Sequence, residues 1–172
     1  MISSRRSFIK KTTALGAATS LSSLPFSLLA NPKSDPIKIG IIGLDTSHAP
    51  AFTKLFNVES PKPELAGFRV VAAYPYGSRD IKSSMDRIPG YIDQVKELGV
   101  EIVDSIDALL QKVDVVLLET NDGKPHLEQA RAVFKAKKPV FIDKPVAGSF
   151  ADAVKIYQEA KAAGVPMFSS SS

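Results

Sequence analysis

The run Ile37-Lys38-Ile39-Gly40-Ile41-Ile42 stops at Gly43 and is followed by Leu44-Asp45-Thr46-Ser47-His48. A short, almost continuously apolar run rich in β-branched residues reads as a strand covered on both faces. Beyond it, Phe52, Leu55 and Phe56 recur at helical spacing, which predicts a helix with these residues on its inner face. Thr46 or Ser47 stands where a side chain can cap the helix start. Strand, tight turn and helix N-terminus together make an anion site, because the free N–H groups and the helix dipole face whatever lies above the strand end.

The same alternation runs through the rest of the chain. Phe68 to Tyr74 predicts a second strand, followed by a loop, Pro75 to Arg79. Asp80 to Leu98 is polar and interrupted by Pro89-Gly90, which predicts one short helix and a second from about Tyr91 to Leu98. Val100 to Val103 reads as a third strand, and Ser105 as the cap of a helical turn ending at Leu110. Val113 to Leu118 is of central-strand type, and Gly123 to Lys137 predicts a helix with Leu127, Ala130 and Phe134 inward. Pro139 to Ile142 gives a fifth strand. Ser149 to Asp152 forms a capping box before a helix striped by Ala153, Ile156, Tyr157 and Ala160, which ends at Ala163 and is closed by Gly164. Val165 to Phe168 gives a sixth strand.

Apolar strands alternating with helices predict an α/β fold, a doubly wound parallel sheet in the order 3-2-1-4-5-6. Ligands then bind beyond the carboxyl ends of the strands. The unusual polar residues fall at those ends: Asp45 and His48, then Tyr74 to Arg79, then Glu119, Asn121 and Asp122, then Asp143, Lys144 and Pro145, then Ser169 to Ser172. In such folds the first turn takes a dinucleotide's pyrophosphate on the pattern G-x-G-x-x-G. Here it reads Gly43-Leu44-Asp45-Thr46-Ser47-His48. Only the first glycine is kept, so the motif speaks for a turn of that shape more than for a nucleotide.

The second-strand loop bears on the choice of cofactor. An NAD site wants an acid at this strand end for the ribose hydroxyls, and none precedes Asp80. Ser78 and Arg79 could hold a 2′-phosphate instead, which leans toward NADP; the alternative is a solvated loop. Lys144, after an acid and before a proline at the mouth of the sheet, is placed to polarise a substrate oxygen or shuttle a proton, unless it is an ordinary surface lysine. His126 opens a helix and could equally satisfy a backbone group. Two histidines, scattered acids and no cysteine weigh against a dedicated metal site.

The net charge of +4 comes from the N-terminus. Residues 1–30 carry Arg5, Arg6, Lys10 and Lys11 and no acid, and the remaining 18 basic residues balance 18 acidic ones. A basic face for nucleic acid therefore has no compositional support. Ser4-Arg5-Arg6-Ser7-Phe8-Ile9-Lys10, followed by a mildly apolar stretch to Leu29, resembles a twin-arginine signal peptide. The expectation is a leader over 1–30, cleaved after Ala30, a linker over 31–36 and a domain over 37–172. It carries with it a partner in the twin-arginine export machinery, a periplasmic or other extracytoplasmic location, and no membrane span after cleavage. With no cysteine, lipoprotein attachment and disulfides are excluded.

Gly-Ile-Ile-Gly-Leu at the first turn, Val-Asp-Val-Val-Leu-Leu-Glu-Thr-Asn at strand four, His126, and Lys-Lys-Pro-Val-Phe-Ile-Asp-Lys-Pro-Val-Ala resemble the N-terminal domain of the Gfo/Idh/MocA oxidoreductases. The resemblance runs from about Ile37 to Ser172. Its most specific part, Asp143-Lys144-Pro145, is similar to the family's Glu-Lys-Pro. It implies a Rossmann-like domain, an NAD(P) cofactor and a sugar or cyclitol substrate, with hydride passing between nicotinamide and a carbinol carbon. It implies Lys144 beside nicotinamide and substrate as the catalytic residue, flanked by Asp143 and Pro145. Thr120 and Asn121 would line the dinucleotide, with His126 near it. The family's second, mostly antiparallel domain would begin where this chain stops, so a truncated chain, inactive alone, is expected. The other reading is a binding or interaction module that kept the fold and lost the cofactor. Oligomeric state stays open.

Overall fold

The computed structural model describes residues 35–170. The expected leader, most of the linker and the last two serines lie outside them. Six strands, β1 (Ile37–Ile42), β2 (Phe68–Tyr74), β3 (Glu101–Ile102), β4 (Val115–Leu118), β5 (Val140–Asp143) and β6 (Met167–Ser170), form one sheet in the order β3-β2-β1-β4-β5-β6. Every pairing is parallel. The doubly wound α/β fold and its strand order are those expected from the alternation of apolar runs and helices.

Six helices connect the strands: α1 (His48–Asn57), α2 (Lys82–Met85), α3 (Ile88–Glu97), α4 (Ile106–Leu110), α5 (His126–Lys135) and α6 (Phe150–Ala163). Side chains of α1 and α3 pack in one apolar cluster, with Ile39, Ile41, Val70 and Ala73 from the strands. Those of α4, α5 and α6 pack in a larger one, with Ile42, Val116, Leu118, Val140 and Ile142. Alternate residues of β1 thus serve opposite faces of the sheet. Ile41 and Ile42 are both fully buried, which is worth about 1.5–3 kcal/mol each. Gly40 lies where β1 meets the larger cluster; a Cβ there would come 3.0 Å from Leu109 and Val113.

Several local expectations are corrected. The Pro89-Gly90 pair does not delay α3, which already starts at Ile88 with the proline in its first turn, where an N–H has no helical partner to lose. Ser47 does not cap α1: its backbone is already helical, at φ −65° and ψ −15°, whereas a cap needs extended backbone to aim its oxygen. Thr46 Oγ1 only accepts the His48 N–H, at 3.4 Å. Leu55 and Tyr157 are 43% and 51% exposed, so both helices are rotated relative to the expected stripes. The helix expected over Gly123 to Lys137 starts only at His126, and β3 is only two residues long. Ser105 and Ser149 do cap, accepting from the N–H of Ala108 and of Asp152 at 3.1 Å each. Gly164 closes α6 at φ 65°.

Candidate functional site

All six strands run the same way, so the loops after β1, β2, β4 and β5 meet at one edge. Gly43 turns the chain out of β1 at φ 93°. Its N–H donates to the Tyr74 carbonyl at 2.8 Å, and that of Leu44 to Pro75 at 2.9 Å. A Cβ at Gly43 would meet the Thr120 nitrogen at 2.6 Å, so the loop after β4 presses directly on this turn. Leu44 is fully buried in the smaller cluster.

Asp45 braces the mouth. It is fully buried, and its carboxylate accepts the N–H of Asn121 at 3.0 Å and of Ser78 at 3.2 Å. A Cβ at Gly77 would come within 2.7 Å of the same oxygens. One side chain therefore ties together the loops after β1, β2 and β4. Burial raises its carboxyl above the ordinary range, against the pull of those N–H donors.

A cavity of about 540 Å³ opens between the loops after β2 and β4, lined by Tyr74, Tyr76, Ser78, Arg79, Lys124 and Gln129 among others. Its size suits a small ligand, and it lies where such folds hold the adenosine ribose. The Arg79 guanidinium stands 5.9 Å above the Tyr76 ring. Ser78 is buried and its hydroxyl donates to Asp122 at 3.2 Å. Of the two residues expected to hold a 2′-phosphate, Arg79 is therefore the better placed.

For a dinucleotide the strand ends thus offer a cavity after β2 and β4, and an acid in place of a glycine at the first turn. The cavity itself is lined by two cations, Arg79 and Lys124, and by three acids, Asp80, Asp122 and Glu128. Beside it, Asp45 stands where the dinucleotide fingerprint has its second glycine, and it accepts the N–H groups of Asn121 and Ser78.

At the ends of β4 and β5 lies a second group. His48, the first residue of α1, places Nδ1 2.6 Å from Asp143 Oδ2. Glu119 directly follows β4, is fully buried, and has no hydrogen-bond partner on either carboxylate oxygen. One ligand atom from each of His48, Glu119 and Asp143 lies within 4.8 Å of the others. Burial pushes the Glu119 carboxyl up to about 8; the Asp143 charge adds to this and Lys144 works against it. Lys144 is exposed, its N–H donates to Asp143 Oδ1 at 2.8 Å, and its peptide bond to Pro145 is cis.

Thr120 is buried, and its hydroxyl donates to Gln129 Oε1 at 3.0 Å. The Asn121 side-chain amide donates to Ser84 Oγ at 3.1 Å. His126 is fully buried, with Nε2 2.8 Å from the Thr120 carbonyl and Nδ1 3.1 Å from that of Val146. These three hold the loop after β4 in shape. Sequence reasoning placed Glu119 at the mouth but gave it no role. Its signal was an acid ending an apolar run, and its neighbours come from distant loops. The two histidines that weighed against a metal site are also separated by the fold, one joining two acids and the other facing backbone.

Comparison with curated proteins gives no match. Among solved structures, the chain is similar to a dehydrogenase from Clostridium difficile, at 19% identity over 77% of this chain and 38% of that one, with a TM-score of 0.59. It is similar to biliverdin reductase from Synechocystis, in complex with biliverdin and NADP+, at 22% over 78% and 36%, TM-score 0.57. A third similar structure is scyllo-inositol dehydrogenase from Lactobacillus casei with bound NAD(H) and scyllo-inositol, at 22% over 78% and 36%, TM-score 0.56. At these identities the likeness is one of fold, and the chain spans little more than a third of each. One family model, described as an oxidoreductase family with an NAD-binding Rossmann fold, matches residues 37–170. The chain therefore belongs to the Gfo/Idh/MocA oxidoreductase family and carries that family's NAD-binding Rossmann fold.

Proposed function

We propose that this chain is the dinucleotide-binding part of an NAD(P)-dependent oxidoreductase acting on a sugar or cyclitol, with weak cofactor binding held down by Asp45. The cavity bordered by Arg79 at the ends of β2 and β4 carries the reading. It gives the adenosine end a place and a 2′-phosphate a cation. Lys144, exposed at the end of β5, is suited to hold a proton on a substrate oxygen. The described residues supply one wall of a substrate site, and positioning between two walls supplies much of an enzyme's rate, up to roughly 7–11 kcal/mol. A protein limited to these described residues is therefore expected to reduce no NAD(P) with sugars or cyclitols. The twin-arginine leader directs the folded domain out of the cytoplasm.

Asp45, buried where the fingerprint has a glycine, favours a second reading, a binding module that kept the fold and lost the cofactor. Calorimetric titration of the wild type and Asp45→Gly with NADP and NAD separates the two. The expected result is weak binding by the wild type without a tenfold preference for NAD, and a gain of about tenfold, or 1.4 kcal/mol, in Asp45→Gly. If a folded Asp45→Gly binds neither dinucleotide, the oxidoreductase reading fails and the module reading stands.

A further inference from the structure

We propose that His48, Glu119 and Asp143 bind one divalent transition-metal ion of the Zn²⁺ or Mn²⁺ type, with an open coordination position toward the mouth of the sheet. The three side chains come from the start of α1, the end of β4 and the end of β5. One ligand atom of each lies within 4.8 Å of the others, and His48 and Asp143 are already in contact at 2.6 Å. A tetrahedral ion bonded at the usual zinc distances holds its ligand atoms roughly 3.3 Å apart. The site therefore needs the His48–Asp143 pair to part slightly, and no pair within the 4.8 Å limit has to close by more than about 1.5 Å.

Glu119 gives the independent reason. It is fully buried and both its oxygens lack a hydrogen-bond donor. Buried carboxylates are otherwise paired with donors or ligate metals, and nothing within the described residues satisfies this one. An ion between it, His48 and Asp143 would. A single imidazole with two carboxylates is a borderline donor set, suited to Zn²⁺ or Mn²⁺ more than to the all-oxygen preference of Mg²⁺ and Ca²⁺. Three protein ligands leave a position open, as in metal sites that take a substrate oxygen. His48 keeps about a quarter of its side chain exposed, which gives the ion an entry path. The inference does not depend on dinucleotide binding, because it uses neither Asp45 nor the cavity beside Arg79.

The test uses the purified full chain stripped with a chelator. Titration with Zn²⁺ is expected to show one ion per chain and a rise in melting temperature, larger than that given by Mg²⁺ or Ca²⁺. Glu119→Gln and His48→Ala should each weaken binding by about tenfold or more, the loss expected when a site loses a supporting group. The metal-free Glu119→Gln protein should melt close to the metal-free wild type, since the amide keeps the acid's shape and carries no charge to bury; lost binding is then not lost folding. The surface change Asp86→Asn should leave binding intact. No Zn²⁺ binding, an equal response to Mg²⁺, or unchanged affinity in both Glu119→Gln and His48→Ala would overturn the proposal.

Discussion

Glu119 and Asp45 show how much one carboxyl can decide. In chelator-treated protein the folded Glu119 keeps its proton up to about pH 8, whereas the unfolded chain releases it near the ordinary 4.5. Between those values the folded state holds the extra proton. Raising the pH through that window therefore removes stability, by at most about 1.4 kcal/mol per unit. Below it both states are protonated and the slope disappears. Asp45 is also raised by burial and acts in the same direction, so Glu119→Gln is expected to flatten the profile without erasing it. Urea melts from about pH 5 to about pH 8 measure this, and an unchanged slope in Glu119→Gln would contradict it. The positions of both acids at strand ends were legible in the sequence. Their partners were not, because Ser78 and Asn121 reach Asp45, and His48 and Asp143 approach Glu119, only after distant loops converge.

At the scale of the element, two serines of the same sequence type part company. Ser149 accepts the Asp152 N–H at 3.1 Å ahead of α6, while Ser47 makes no capping bond ahead of α1. Ser149→Ala is expected to cost about 1 kcal/mol and the exposed Ser47→Ala less than about 0.5 kcal/mol, both read from the midpoint of denaturant unfolding at constant slope. Strands were the legible part of the fold, because a continuous apolar run bounded by turn residues has few other places to go. Helix phase was less so: α1 buries Ala49 and Thr53 and leaves Leu55 out, and α6 buries Ile156 and leaves Tyr157 out. Apolar spacing alone admits neighbouring phases, and contact with the sheet chooses between them. Pro89 misled because a proline in the first turn and a proline that ends a helix look alike in sequence.

For the molecule as a whole, the proposed leader has a direct test. Replacing Arg5 and Arg6 together by Lys keeps the charge and removes the arginine pair; cell fractionation is expected to show the protein retained in the cytoplasm, and undiminished accumulation outside it would refute the proposal. The folded part carries a division of its own. β1 is a septum between two unequal cores, Ile39 and Ile41 serving the smaller and Ile42 the larger. Local opening is cheapest where least apolar surface is held, so the layer of α1 and α3 should swing free at a lower free energy than the layer of α5 and α6. His48 rides on the looser layer; Leu118 and Ile142, beside Glu119 and Asp143, are anchored in the tighter one. Anything that bonds all three would latch the two layers to each other, and its binding energy would be felt as resistance of α1 to opening well before it was felt as resistance of the molecule to unfolding.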